Sequence, residues 1–249
     1  MNLRRRLATT YVRIWRTYRA WAPSLLLLGL VVFIPLGLLD SLAVRVDVEA
    51  LDLSSGIKVT AFLLAVLAVS TTGLLGEVFF SGAVAVSLTH PDDERPPSLT
   101  YIARRLNYGR LIAVDVLYVI AVAAGLAVFV VPGVLAFIWL GLAGPIVELE
   151  ECGVRRAFAR SVRLIRGNFW FVFWILVPIE LAGDALGGAI AAGTHALLGH
   201  GFLASWFAES ASNIVLSPFF AVAAVLLALD LIRARDGAAP RLNSRPVPA

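Results

Sequence analysis

Charge is scarce in this chain. Only 15% of its 249 residues are Asp, Glu, Lys or Arg and 59% are hydrophobic, against roughly 25% and 45–50% in soluble domains, which excludes an ordinary soluble globule. Cysteine is scarcer still: Cys152 stands alone, so an intrachain disulfide and a cysteine-based metal cluster are excluded. Lysine occurs once, at Lys58, among 21 basic residues; such an arginine bias suggests a GC-rich genome and hence a bacterium. Catalytic signatures are missing too. There is no H-E-x-x-H, no G-x-S-x-G and no phosphate-binding glycine loop, and Ser205 lacks the glycine-flanked setting and later histidine of an intramembrane serine protease. No enzyme activity and no cofactor are expected.

What is present is a series of long apolar runs punctuated by arginine, the composition of an integral membrane protein. The net charge of +4 does not indicate nucleic acid, because basic stripes separated by runs of hydrocarbon length are explained by membrane topology. The chain reads as one all-α transmembrane domain over residues 1–232. Six transmembrane helices form three hairpins, each preceded by a basic interfacial amphipathic helix. The interfacial helices fall at about 3–21, 98–109 and 153–166. The spans fall at about 22–39, 59–88, 111–131, 134–148, 169–186 and 211–232. Residues 233–249, with Pro240, Pro246 and Pro248, have nothing to bury and read as a disordered cytoplasmic tail.

The stretch from Pro145 to Trp170 organises this reading. At about 100° per residue, Val154, Ala157, Phe158, Ser161, Val162, Leu164 and Ile165 share one side of a helix and Arg155, Arg156, Arg160, Arg163 and Arg166 the other. Such a helix suits the plane of a membrane interface. Glu148, Glu150 and Glu151 stand at its N-terminal end, where negative charge is favoured by about 0.3–1 kcal/mol each. In 3–21, Leu3, Leu7, Tyr11, Ile14, Tyr18 and Trp21 share a face, with Arg5, Arg6, Arg13 and Arg16 pointing largely away. In 98–109, Ser98 is the expected N-cap, and Ile102 and Leu106 oppose Arg104 and Arg105. A cleavable signal peptide is the rival reading of the first segment, since Ser41-Leu42-Ala43 mimics a cleavage site. The length and helical patterning of the basic part favour an uncleaved helix.

Under this threading every arginine except Arg45 falls on one side, leaving Arg45 and Lys58 opposite. The positive-inside rule makes the arginine side cytoplasmic. Both termini are then cytoplasmic, which requires an even number of spans, in a bacterial plasma membrane. Units 3–88, 98–148 and 153–232 repeat one design, a basic helix running into a hairpin. The Pro132-Gly133 pair is expected to break the third span from the fourth, and Gly187–Ser210 to form an outer loop or a partly embedded segment.

Pro145, Glu148, Gly153, Ala157, Arg160, Ser161, Leu164, Gly167 and Trp170 resemble the signature of six-span bacterial proteins known as the glycerophosphoryl diester phosphodiesterase membrane domain. The family pattern is roughly P-x-x-x-E-G-x-G-x-x-x-A-x-x-R-S-x-x-L-x-x-G-x-x-W, and Glu151 stands here in place of its first glycine. The arginine-rich start, the Pro132-Gly133 break and the ending from Leu229 to Arg235 are similar too. In two-domain members hydrolysis belongs to a separate soluble barrel, for which these 249 residues leave no room. The resemblance therefore implies a membrane module concerned with lipids or envelope upkeep, without phosphodiesterase chemistry.

Anionic membrane lipids are the expected partners. Head-group contacts are assigned to Arg13, Arg16, Arg104, Arg105, Arg155, Arg156, Arg160, Arg163 and Arg166, because guanidinium forks suit phosphate; plain topological anchoring is the simpler alternative. Arg160 is the one expected to be specific, unless it bonds Glu148 or the carbonyls ending the fourth span. A membrane-protein partner or homo-oligomer is also compatible with the pattern. Glu77 and Asp115 are the ionisable groups expected inside hydrocarbon, where Asp costs about 2.5–3.5 kcal/mol at a helix centre. They either line a cation path or hydrogen-bond between helices through Ser70, Thr71, Thr72 or Asn213. Glu180 and Asp184, four apart, could join His195, His200 and Glu209 around a metal, although the spacing matches no metal motif and no metal is expected. The leading expectation is a noncatalytic module for lipid or envelope homeostasis; the alternatives are a transporter or lipid-translocating protein using Glu77 and Asp115, and a membrane-embedded hydrolase.

Overall fold

The computed structural model describes residues 3–43, 76–90, 97–199 and 201–237. Most of the expected outer loop after Asp40, the first part of the second span with Ser70, Thr71 and Thr72, and Arg95, His200 and the tail from 238 lie outside the described residues, as does the Glu209 side chain. Everything described is helix, turn or short connection. The helices are α1 (Leu3–Ala43), α2 (Glu77–Leu88), α3 (Leu99–Arg105), α4 (Tyr108–Val128), α5 (Val130–Leu140), α6 (Ala143–Leu149), α7 (Val154–Ile165), α8 (Phe169–Leu198) and α9 (Phe202–Asp236). Among the described residues, five stretches are long and apolar enough to cross a membrane: Leu3–Leu38, Tyr108–Val128, Val130–Leu149, Phe169–Leu198 and Phe202–Asp236.

The elements gather on α9, against which α1, α8 and α2 all pack. Ala221 to Val225, Leu227 and Ala228 are wholly buried, so this part of the helix is apolar all round and enclosed by its neighbours. α4 pairs with α5, and α2 packs on α6. The second contact needs Gly144. A Cβ there would collide with the Val78 carbonyl and lie 2.7 Å from the Ser81 hydroxyl, so the small residue lets two backbones approach.

Several expected boundaries move. Residues 3–21 do not form a separate helix: α1 runs unbroken for 41 residues through Pro23 and Pro35. Ile14 is buried and Leu7, Tyr11, Tyr18 and Trp21 pack on the same core, so the apolar face of the first turns continues directly onto the bundle. The expected helix 98–109 divides into α3 and the start of α4, with an extended Leu106 between them. The break between the third and fourth spans falls at Phe129, which is extended, leaving Pro132 within the first turn of α5, where its missing N–H costs nothing. The fourth span is itself two helices, broken after Leu140. The largest correction is to the loop reading of 187–210. This segment is helical apart from the turn near Gly199, because Gly187 lies against Ser212 and Leu216 of α9. α8 and α9 are thereby 30 and 35 residues long, about 45 and 52 Å at 1.5 Å per residue.

Candidate functional site

Two regions carry functional groups: a basic end and an acidic cavity. At the basic end α7 docks through one face, burying Ala157, Ser161, Leu164 and Ile165. Ser161 Oγ donates to the Trp139 carbonyl at 2.7 Å. That carbonyl is one of the last four of α5, which have no partner within their own helix, so the hydroxyl ties α7 to a ready acceptor.

Arg160 does not reach Glu148. Its Nε donates to Glu150 Oε1 at 2.8 Å and its Nη2 binds Asp236 at the end of α9. Burial alone would lower its pKa, but the two carboxylates hold the guanidinium above its ordinary value. It is thus a clamp between the α6–α7 turn and the last turn of α9. Glu148, buried, instead accepts from the Asn107 backbone N–H at 3.0 Å and from Asn107 Nδ2 at 3.3 Å, fixing the start of α4. Arg110 Nη1 donates to the Glu151 carbonyl at 3.2 Å. Glu151 has φ 46°, the one positive-φ non-glycine among the described residues, at the position where the resembled signature carries glycine. Gly167 (φ 93°) makes the matching left-handed turn after α7.

The same end collects other cations. Arg13 pairs with Asp230, Arg6 bonds Asn168 Oδ1 at 3.2 Å and lies 3.8 Å over the Phe171 ring, and Arg235 donates to the Arg163 carbonyl. The starts of α1, α4 and α8, the end of α9 and all of α7 therefore meet. Arg16, Arg104, Arg155, Arg156, Arg163 and Arg166 are exposed, whereas Arg13, Arg105 and Arg160 are half-buried. Trp170 is exposed beside them and Pro145 is buried in α6.

The acidic region lies deeper. A cavity of about 520 Å³ is lined by Glu77 of α2, Phe137 of α5, Glu180 and Asp184 of α8, and Asn213, Ser217 and Phe220 of α9. Glu180 stands midway along α8, about 16 Å of helix rise beyond Phe169. Glu77 Oε1 accepts from Ser217 Oγ at 3.2 Å. Asp115 is placed differently: Oδ2 accepts the Gly76 N–H at 2.7 Å and Oδ1 accepts those of Val78 and Phe79 at 3.1 and 3.3 Å. It caps the N-terminus of α2, so its bonds do run between helices, but to the backbone N–H groups of Gly76, Val78 and Phe79 and not to the side chains the sequence suggested; the one available signal is Gly76, a helix start with no side chain to cap itself.

Of the carboxylate and imidazole group that the sequence allows, His200 and the Glu209 side chain lie outside the described residues. His195 Nδ1 engages the Gly199 carbonyl at 3.1 Å, and no group of three His, Cys, Asp or Glu that could hold a metal occurs among the described residues. No family model, no curated protein and no solved structure matches the chain. The family resemblance therefore rests on the 145–170 signature and its flanking patterns alone.

Proposed function

We propose that this chain is a noncatalytic six-span module of a bacterial plasma membrane, with both termini cytoplasmic, that engages anionic lipid head groups through α7 and serves lipid or envelope homeostasis. The observation that carries this reading is the division among the arginines of one short segment. Arg160 is withdrawn into a protein clamp. Arg155, Arg156 and Arg166 are exposed and have no ion-pair or hydrogen-bond partner among the described residues, which leaves their forks free for phosphate. The two sets of contacts at that end, around Arg6 and Arg160, bring the first and last helices to the same side, in keeping with both ends being cytoplasmic.

The transporter reading keeps Glu77, which lines the cavity, and loses Asp115, whose oxygens are engaged with backbone N–H groups. The hydrolase reading lacks a cavity-lining histidine among the described residues.

Native mass spectrometry of the purified protein tests the lipid reading. Each cation near an anionic surface contributes about 1 kcal/mol, so Arg155→Gln/Arg156→Gln/Arg166→Gln is expected to lose most co-purifying anionic lipid while keeping its fold. Wild-type retention in the triple variant would remove the reading. Arg160→Gln serves as the contrast, expected to lower stability more than lipid retention.

A further inference from the structure

The lipid role of α7 leaves the acidic cavity unexplained. Its volume of about 520 Å³ falls in the range that takes a small organic molecule. Its walls are mostly apolar, while Glu77, Glu180 and Asp184 line it and no Lys, Arg or His among the described residues does. Glu77 is only 6% exposed. One of its oxygens has Ser217; the other, Oε2, has no hydrogen-bond partner among the described residues. A buried carboxylate left half-satisfied is costly unless a donor or a positive charge completes it.

A bare metal ion does not suit this arrangement, because the acids do not converge into a metal-holding group among the described residues. An organic cation does. Phe137 and Phe220, with ring centroids 5.6 Å apart, both line the cavity and offer aromatic and apolar area to the body of an organic cation. Glu180 and Asp184 stand one helical turn apart on α8, with Asp184 exposed and Glu180 half-buried, so carboxylates mark a route from the rim inward to Glu77.

We propose that this cavity binds an amphiphilic organic cation, an ammonium group carried on an apolar body, with Glu77 as its innermost counter-charge. A free hydrophobic amine and the amine of a lipid head group share this chemistry. The site is separate from the basic end, and its existence does not depend on lipid contact by α7.

The test is binding of ethidium, a quaternary aromatic ammonium, to the full chain in an uncharged, amine-free maltoside detergent, read by fluorescence anisotropy. Saturable binding is expected. Glu77→Gln should weaken it by at least about tenfold, since removing one member of a desolvated charge pair has effects of that size or larger, and Asp184→Asn should weaken it severalfold. If Glu77→Gln does not elute as a folded, helical species, Glu180→Gln takes its place with the same expectation. Uncharged phenanthridine should fail to displace ethidium. Displacement by added phosphatidylethanolamine identifies a lipid amine as the source; displacement by hexyltrimethylammonium alone identifies a free amine. Absence of saturable binding, wild-type affinity in the carboxamide variants, or equal displacement by phenanthridine would overturn the proposal.

Discussion

Asp115 of α4 caps the helix that begins at Gly76. Its carboxylate takes the N–H of Gly76 and, within the first turn, those of Val78 and Phe79, the last two being the donors that a local Ser or Asp at the cap position would ordinarily satisfy. Gly76 sits at φ 91° and has no side chain to offer. The acid therefore lies at low dielectric as the acceptor of three backbone bonds.

Asp115→Asn is expected to lower stability by about 1–2 kcal/mol and Asp115→Ala by somewhat more, because up to three buried donors lose their acceptor. Thermal unfolding in detergent checks the magnitude. Amide exchange checks the cause: Val78 and Phe79 should exchange faster in both variants, and unchanged protection there would refute the capping role.

Tyr11 and Pro178 are linked through a carbonyl. Pro178 has no N–H, so the carbonyl of Trp174 one turn earlier has no helical donor; the Tyr11 hydroxyl of α1 donates to it at 2.6 Å. Tyr11→Phe is expected to cost about 1 kcal/mol. In a Pro178→Ala background, where the helical bond can reform, that cost should shrink toward zero, so a double-mutant cycle with no coupling would contradict the link.

The clamp on Arg160 has two unequal arms. The Arg160 and Glu150 side chains are 15% and 23% exposed, that of Asp236 41%. Glu150→Gln should therefore cost about 1–2 kcal/mol and Asp236→Asn less than about 1. Salt should weaken the Asp236 arm more. Equal costs, both insensitive to salt, would show that exposure does not grade the pair.

Cys152 is the chain's one thiol, and it is buried. Burial pushes its pKa up and Glu150 adds to the rise, while Arg156 and Arg110 oppose it. The thiolate is the reactive form, so maleimide labelling of folded protein near neutral pH should be slower than that of an unfolded control and should climb only at more alkaline pH. Arg156→Gln should slow it further. Rapid labelling at neutral pH would contradict the burial.

The basic and apolar faces of 153–166 were legible in the sequence because an arginine helix has a strong 3.6-residue period, and Ala157, Ser161 and Leu164 are buried as the period required. The helical reach of 187–210 was not legible, since glycine and alanine look like loop until Ser212 and Leu216 of another helix are placed against Gly187. Continuity of α1 was hidden for another reason: the pattern changes near Trp21 from an arginine-bearing amphipathic face to an all-apolar run, which marks a boundary in composition while the backbone carries straight on. Of the candidate residues, Glu77 stands out in sequence as an acid within an apolar run, but its partner Ser217 and its grouping with Glu180 depend on how α2, α8 and α9 meet. Arg160 was singled out by sequence, while Glu150 and Asp236 could be named only once α7 and α9 lay together.

Accessibility mapping by single cysteines in a Cys152→Ser background tests the threading most directly. With a membrane-impermeant maleimide applied to intact expressing cells, cysteines at Arg155 and Arg235 are expected to stay unlabelled until the membrane is opened, and one at Leu197, 86% exposed near the far end of α8, is expected to label at once. Labelling of the Arg155 position from outside would contradict the cytoplasmic placement of the basic end, and with it the assignment of α7 to the inner leaflet.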